Sequence, residues 1–335
     1  MDPTDSQSNS MTESEDLTQY FRGVHEVLEI DPDQGQGQCS GQAEVDLLSH
    51  KKHCSKRDRH GEFIPVNDFS PGHLPSGYHD NDVYQLVKNL AALTVKVAVK
   101  FTSLDRPAVV PDTSVPYPCF NLRGKNSLRT GTGKIGGFRM HKESDGVPCP
   151  CGACRESGDP CAVWGEVEVL TAKHVIYDDS EAQAASCWLW YDEEQSPVVT
   201  VTGWKVDNRT NIHLDYCLLH CTTHNLEIFD RLQQAHIDFT YHLLVASEKF
   251  GSQRDENKIT IIVSHPHGCT KQVSVGRWVH RQVFMEGITR YTYTTCTCAG
   301  SSGAFVYRLG TEVSMHPHSG STPAHSYSGI SLEYS

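Results

Sequence analysis

Three short segments of this 335-residue chain carry side chains suited to nucleophilic catalysis. A hydrolytic serine needs a base within hydrogen-bond reach, and the base needs an acceptor that fixes its tautomer. His174, Asp215 and Ser302 offer such a set, in that order along the chain. They lie in the segments Thr-Ala-Lys-His (171–174), Leu-Asp-Tyr-Cys-Leu-Leu (214–219) and Ala-Gly-Ser-Ser-Gly-Ala (299–304).

The local sequence suits each role. Residues 166–170 alternate polar and apolar side chains, which predicts a strand that ends just before His174. Asp215 lies in an apolar stretch, and a half-buried carboxylate needs a partner such as an imidazole N–H. Small residues surround Ser302, and we expect the backbone N–H groups of Gly300 and Ser302 to form an oxyanion hole. Each residue alone has a structural explanation, whereas all three in this order favour catalysis.

These segments resemble motifs of the trypsin-like serine protease superfamily. Residues 171–174 resemble its T-A-x-H motif, 214–219 its aspartate strand, and 300–304 its G-D-S-G-G nucleophile loop. Residues 263–268 resemble the G-H-P-x-G turn of bacterial high-temperature-requirement proteases and related intracellular members. The resemblance covers roughly residues 94–335. It implies an all-β fold of chymotrypsin type, in which two six-stranded antiparallel β-barrels flank the active site.

Two departures from the family pattern bear on activation and specificity. Ser301 stands where secreted members carry Asp, and the chain has no I-V-G-G start, so a zymogen switch is not expected. By motif alignment, Cys296 falls at the floor of the primary specificity pocket, Thr297 at its edge and His318 on its wall. A pocket without fixed negative charge would leave a bound Lys or Arg unpaired. We therefore expect cleavage after small, apolar or polar uncharged residues.

The pattern along the chain predicts four regions. Residues 1–80 are polar and partly low-complexity, so we expect a disordered or loosely ordered segment. Residues 81–222 would form the first barrel, 223–257 a connecting helix and 258–335 the second barrel with the nucleophile. Within the connector, residues 226–250 have helical periodicity with an apolar stripe (Leu226, Phe229, Leu232, Ile237, Tyr241 and Leu244). Strands are expected at 93–101, 127–140, 163–170, 187–191, 197–206, 212–222, 259–264, 271–283, 289–296, 303–308, 312–315 and 326–332.

Cysteine spacing indicates a metal site within an insertion at 147–162. Four thiolates in a C-x-C-x2-C-x6-C pattern favour a structural, tetrahedral zinc ion that plays no part in catalysis. A cysteine-rich loop without metal, or a pair of disulfides, remains the alternative. The four residues are Cys149, Cys151, Cys154 and Cys161. Further cysteines and histidines are spaced too irregularly to favour a second metal site (Cys39, His50, His53, Cys54 and His60).

Composition indicates which binding partners and which cellular compartment are expected. The formal net charge is −12, from 29 basic and 41 acidic residues, which argues against nucleic acid as a partner. No apolar run has membrane-spanning length, and the N-terminus lacks the features of a signal peptide. Thirteen cysteines without such a signal favour free thiols and a cytoplasmic location. The expected partner is a protein or peptide substrate.

The sequence thus favours a serine endopeptidase that works through an acyl-enzyme. The alternative is a catalytically inactive binding or scaffolding module with the protease fold. A zinc hydrolase is disfavoured because the chain has no H-E-x-x-H motif. A cysteine nucleophile at Cys296 or Cys298 is disfavoured because Ser302 is the residue that stands between small neighbours.

Overall fold

A computed structural model describes residues 24–26, 28–30, 51–322 and 324–334. Its helices are α1 (Asn81–Leu93), α2 (Gly152–Ser157), α3 (Asp179–Gln183), α4 (Leu226–Phe250) and α5 (Arg254–Asn257). Its strands are β1 (Val24–His25), β2 (Leu28–Ile30), β3 (Ile64–Pro65), β4 (Thr94–Val99), β5 (Leu128–His141), β6 (Trp164–Thr171), β7 (Ala185–Leu189), β8 (Val199–Val206), β9 (Cys217–Thr223), β10 (Ile259–Ser264), β11 (Gln272–Met285), β12 (Ile288–Tyr293), β13 (Val306–Arg308), β14 (Val313–Ser314), β15 (His318–Ser321), β16 (Ser326–Ser328) and β17 (Ser331–Tyr334). Among these residues, no helix has the length and apolar character needed to cross a bilayer.

Six antiparallel strands close the first barrel. The strand order is β5-β4-β7-β8-β9-β6, and β6 pairs back onto β5. The long strand β5 serves both ends of this closure, which requires a sharp bend. Its glycines permit the close packing, since a Cβ on Gly133 would lie 2.5 Å from a methyl carbon of Val169. Strand β2 adds to the outer side of β5.

The second sheet is a curled half-barrel. Its strand order is β1-β15-β16-β12-β11-β10-β13, with β17 paired to β12 and β14, and β3 paired to β11. The predicted chymotrypsin-type fold of two β domains is therefore confirmed, although only the first domain is closed by hydrogen bonds in the described part of the chain. Strand β15 was not expected, because the segment His-Ser-Gly-Ser has no apolar alternation.

Helix α4 follows the first barrel and precedes the second sheet, as predicted. The Asn225 side chain caps it by accepting from the amides of Glu227 and Ile228. Its buried face packs against α1 and follows a helical period (Ile228, Leu232, Phe239 and Ala246). The expected apolar stripe was partly wrong, since Ile237, Tyr241 and Leu244 on the other face are each more than half exposed.

Three apolar residues of the 51–80 segment pack into the core, although much of the segment is exposed. Val66, Phe69 and Leu74 are each no more than 3% exposed and belong to the main hydrophobic core. They are single apolar residues between polar ones, so they produce no periodic pattern in the sequence. The rest of the predicted disordered segment, 1–23, 27 and 31–50, lies outside the described residues.

A buried ion cluster fixes the loop that follows β6. Glu181, in the middle of α3, contacts both Arg106 and Arg129, with nitrogen–oxygen distances of 2.6 Å, and all three side chains are fully buried. Arg106 also donates to the carbonyl of His174, and Arg129 donates to the carbonyl of Val175. Burial alone would raise the pKa of Glu181, but its arginine partners outweigh burial and lower that pKa. The cluster therefore holds the His174 loop through two charged hydrogen bonds.

Glu181→Gln removes the only carboxylate of this cluster and leaves two guanidinium groups buried without an anion. We expect the free energy of unfolding to fall by about 3–5 kcal/mol, because unpaired buried charges are strongly destabilising. Denaturant unfolding of both proteins measures the change. The exposed Glu248 provides the matched control, and Glu248→Gln should change stability by less than about 0.5 kcal/mol. Equal effects of the two variants would contradict the role given to Glu181.

Candidate active site and cysteine-histidine clusters

The structure brings His174, Asp215 and Ser302 together between the two β domains. His174 Nε2 lies 2.7 Å from Ser302 Oγ. Its Nδ1 lies 2.9 and 2.8 Å from the two carboxylate oxygens of Asp215, and its backbone amide donates to Asp215 Oδ1. A carboxylate only accepts, so Nδ1 carries the proton and Nε2 is left to accept from the serine hydroxyl.

Burial and hydrogen bonds set the charge of Asp215. Burial by itself would raise the pKa of this carboxyl. Attraction to His174 and hydrogen bonds from His174 and Ser319 outweigh burial and lower the pKa to about 2. Asp215 adopts a left-handed backbone conformation with φ of 53°, which Asp tolerates better than most residues. Asp215 is therefore an anion that faces the imidazole at neutral pH.

The loop around Ser302 depends on two glycines with positive φ. Gly300 has φ of 96°, and a Cβ there would lie 2.6 Å from the carbonyl oxygen of His265. Gly303 has φ of 88°, and its Cβ would overlap the carbonyl oxygen of Thr132 at 2.2 Å. No other residue fits either position without displacing backbone. The Gly300 amide, which the sequence assigned to the oxyanion hole, donates to a carbonyl oxygen of the chain itself, that of Glu26, at 2.8 Å.

Residues 24–26 cover the triad. The His25 ring lies 4.4 Å from the His174 ring, centroid to centroid, and the side chains of His174 and Ser302 are fully buried. Burial and the neighbouring His174 lower the pKa of His25 to about 3, so this ring is neutral at pH 7. No sequence pattern indicated that a segment from the N-terminal region would reach this candidate site.

The predicted pocket residues take different positions. His318 contacts the carboxylate of Glu26 through Nε2 at 2.7 Å. The Thr297 carbonyl accepts from Lys56 Nζ at 3.1 Å. Cys296 is buried, but its thiol faces the carbonyl of Arg59 at 3.5 Å. His318 thus contacts Glu26, whereas Thr297 and Cys296 both contact the 51–62 region, which motif alignment did not include.

The predicted cysteine cluster gains a histidine. Cys149, Cys151 and Cys154 come together with His224, which lies between β9 and α4, and their four ligand atoms are all within 4.8 Å of one another. His224 Nε2 lies 3.1, 3.9 and 3.5 Å from the three sulfur atoms in that order. Cys161, the predicted fourth ligand, is outside this group and exposed. Cys161 does shape the loop, because its amide contacts Cys154 Sγ at 3.5 Å.

A second cluster was not expected. Cys54, His60, His267 and Cys298 also place four ligand atoms within 4.8 Å of one another. Two of these residues come from the irregular group that the sequence did not favour, and the other two lie more than 200 positions away. None of the twelve cysteines in the described residues forms a disulfide.

Comparison with known proteins yields structural similarity alone. No family model matches the chain, and no curated protein matches it. Among solved structures, the HtrA-type protease AlgW with tripeptide has 10% identity and a TM-score of 0.37, over 75% of this chain and 59% of that one. The chain therefore spans less than two thirds of the length of AlgW. The inactive form of the Rv3671c protease has 12% identity and a TM-score of 0.33, over 74% of this chain and 86% of that one. The active form, from M. tuberculosis, has 11% identity and a TM-score of 0.35, over 74% of this chain and 78% of that one.

Proposed function

We propose that this protein is a serine endopeptidase that hydrolyses peptide bonds through His174, Asp215 and Ser302. The observation that carries the proposal is the position of His174, with Nε2 2.7 Å from Ser302 Oγ and Nδ1 on the ionised carboxylate of Asp215. Nucleophile, base and orienting carboxylate are linked by hydrogen bonds in series, which is the arrangement that serine acyl transfer requires.

Each residue has a role in the reaction. His174 takes the proton from Ser302 as Oγ attacks the substrate carbonyl carbon, and later gives that proton to the leaving amine. Asp215 holds the imidazole in the productive tautomer and stabilises its protonated form. The Gly300 amide already donates to the carbonyl oxygen of Glu26 in this site. The same N–H group stabilises the oxyanion that develops on a substrate carbonyl. Hydrolysis of the acyl-enzyme by water restores Ser302.

A fluorophosphonate probe tests the nucleophile. We expect covalent labelling at Ser302, followed as a time course because residues 24–26 cover this hydroxyl. Ser302→Ala should abolish labelling, and peptidase turnover should fall by a factor on the order of 10⁶. Ser252→Ala, which removes an exposed serine outside the proposed site, should leave labelling unchanged. Labelling that persists in Ser302→Ala would remove Ser302 from the mechanism, and an unlabelled folded wild type would favour a non-catalytic binding module.

The cluster of Cys149, Cys151, Cys154 and His224 fits a structural zinc ion. Bond lengths of about 2.3 Å to sulfur and about 2.0 Å to nitrogen separate tetrahedral sulfur and nitrogen ligands by about 3.5 Å. The three sulfur–nitrogen distances of 3.1, 3.5 and 3.9 Å bracket that value. Four protein ligands leave no open position, so the ion would fix the 147–162 insertion to the start of α4 and take no part in the chemistry.

Two matched variants distinguish the observed ligand set, which includes His224, from the predicted set, which included Cys161. His224→Ala should remove about one zinc per chain and lower Tm by at least about 5 °C, because metal binding and folding of the loop are linked. Cys161→Ser should keep the full zinc content. Metal analysis by mass spectrometry and thermal unfolding provide the two measurements. Loss of zinc in Cys161→Ser but not in His224→Ala would restore the four-cysteine site expected from the sequence.

A further inference from the structure

Residues 24–26 and 28–30 form extended segments that pair with different β domains. Strand β1 pairs antiparallel with β15 of the second domain, where Val24 lies opposite Ser321 and His25 opposite Gly320. Strand β2 pairs antiparallel with β5 of the first barrel, where Leu28 lies opposite Thr130. An extended peptide that adds to exposed strand edges gains main-chain hydrogen bonds on each side. The triad lies between these two pairings.

The backbone of Glu26 is held on both sides of the reactive position. Its N–H donates to the carbonyl of Ser319 at 3.4 Å, and its carbonyl oxygen accepts from the Gly300 amide at 2.8 Å. Ser302 Oγ lies 3.4 Å from the same Ser319 carbonyl. The carbonyl of Glu26 thus already occupies the position in which an oxyanion would be stabilised, beside the proposed nucleophile.

The Glu26 side chain fills a pocket built for a carboxylate. Oε2 lies 2.7 Å from His318 Nε2, while Oε1 contacts Lys56 Nζ and accepts from Ser321 Oγ at 2.6 Å. Tyr293 Oη lies 2.6 Å from His318 Nδ1. Because burial lowers the pKa of His318, its ring is neutral, and Tyr293 must donate to Nδ1 so that Nε2–H donates to the carboxylate.

The pocket therefore recognises a negative charge. Burial alone would raise the pKa of Glu26, but the hydrogen bonds from His318 and Lys56 outweigh burial and lower it below the usual range, so the group is ionised. The uncharged pocket predicted from Cys296 overlooked Lys56, which comes from a segment outside the resemblance. We still expect basic side chains to be excluded, because the Lys56 ammonium would repel them.

Resting on the proposed peptidase activity, we propose that the enzyme cleaves its own chain after Glu26 and selects glutamate at this position in its substrates. Ser302 Oγ forms a bond to the Glu26 carbonyl carbon, and the bond from that carbon to the nitrogen of residue 27 breaks. The Ser302 proton passes through His174 to the departing nitrogen, which becomes the amino group of Val27. Water then hydrolyses the ester, which leaves a new carboxylate on Glu26 and restores Ser302.

Intact-mass analysis of the purified full-length chain tests this proposal. We expect two fragments, 1–26 and 27–335, in wild type and an uncut chain in Ser302→Ala. Glu26→Lys should slow the cut at least about 100-fold, because it places a cation against Lys56 and loses two charge-assisted hydrogen bonds. Glu143→Lys makes the same charge change at an exposed site and should leave the fragments unchanged. The rate should not depend on protein concentration, because substrate and nucleophile share one chain.

The fluorophosphonate experiment distinguishes failure of this inference from failure of the proposed function. Labelling at Ser302 without any cut after Glu26 would overturn self-cleavage while the peptidase proposal stands. A cut that also appears in Ser302→Ala would assign it to another protease and overturn the inference. A chain that is neither labelled nor cut would overturn both. A peptide library provides the second readout, in which a preference for an uncharged or basic residue before the scissile bond would overturn glutamate selection.

Independently, the second cluster has the dimensions of a tetrahedral metal site. Cys54 Sγ lies 3.7 Å from Cys298 Sγ, Cys298 Sγ lies 3.5 Å from His60 Nε2, and His60 Nε2 lies 3.2 Å from His267 Nε2. Two sulfur and two nitrogen ligands around zinc are separated by about 3.3–3.8 Å, with sulfur pairs longest and nitrogen pairs shortest. The three distances follow that order, and each lies within about 0.1 Å of that range.

We infer that Cys54, His60, His267 and Cys298 bind a second zinc ion. The ion would fasten the 54–60 segment to the turn after β10 and to the start of the nucleophile loop, since Cys298 precedes Ser302 by four positions. Lys56, whose ammonium contacts Glu26, lies between two of the ligands. The site is closed by four protein ligands, so its role would be to hold the pocket together.

Zinc analysis of the full-length chain tests the second site. We expect two zinc ions per chain in wild type, one in His60→Ala, one in His224→Ala and two in His280→Ala, whose side chain is exposed on β11. X-ray absorption of the wild type gives a second readout that needs no variant. With both sites filled, zinc should average about 2.5 sulfur and about 1.5 nitrogen neighbours. A single zinc with about three sulfur neighbours would overturn the second site.

Discussion

Thr132 carries the contact between the two β domains on which the active site depends. Its amide donates to the Ser302 carbonyl at 2.7 Å, and its hydroxyl donates to the Gly300 carbonyl at 2.8 Å while accepting from the His265 amide at 3.0 Å. Its own carbonyl accepts from Thr171 Oγ1 at 2.7 Å. One buried residue of the first barrel therefore fixes the nucleophile loop of the second domain. A loop held from across the cleft keeps Ser302 in register with a histidine that the other domain supplies.

The histidine is held by a separate device, the buried cluster of Glu181 with Arg106 and Arg129. Buried ion pairs add little net stability, but they favour one geometry, because moving one partner away would leave the other charge buried and unpaired. Here that geometry includes the carbonyls of His174 and Val175, which accept from the two arginines. The nucleophile and the base thus have independent supports, and neither support uses the proposed metal sites.

Much of the fold was predictable because it depends on local pattern. Strands β4, β5, β6 and β10 and helix α4 follow alternation or helical period closely enough to be placed within about three residues, and the order of His174, Asp215 and Ser302 led to the triad that we propose. The contacts that could not be predicted from the sequence join residues that are far apart along the chain. His224 is separated from Cys149 by 75 positions, and His60 from Cys298 by 238. No local pattern marks such pairs, because the fold alone brings them together. Strand β15 was missed because its segment pairs through backbone and carries almost no apolar side chain.

The specificity pocket shows why a motif alignment was not sufficient. The alignment covers roughly residues 94–335 and takes the pocket from the second domain alone, so it assigned the pocket to Cys296, Thr297 and His318 and found no charge. Lys56 supplies the positive charge. It lies in a polar segment without hydrophobic periodicity, which we expected to be loosely ordered. That segment is instead anchored through Arg59, whose guanidinium donates to the Thr294 carbonyl at 2.6 Å, and through the contacts of Cys54 and His60 with Cys298. A carboxylate-binding pocket needs a cation that is held rigidly, since a mobile lysine would lose side-chain entropy on every binding event. The anchors on both sides of Lys56 meet this requirement, so residues 54–60 belong to the substrate pocket that we propose.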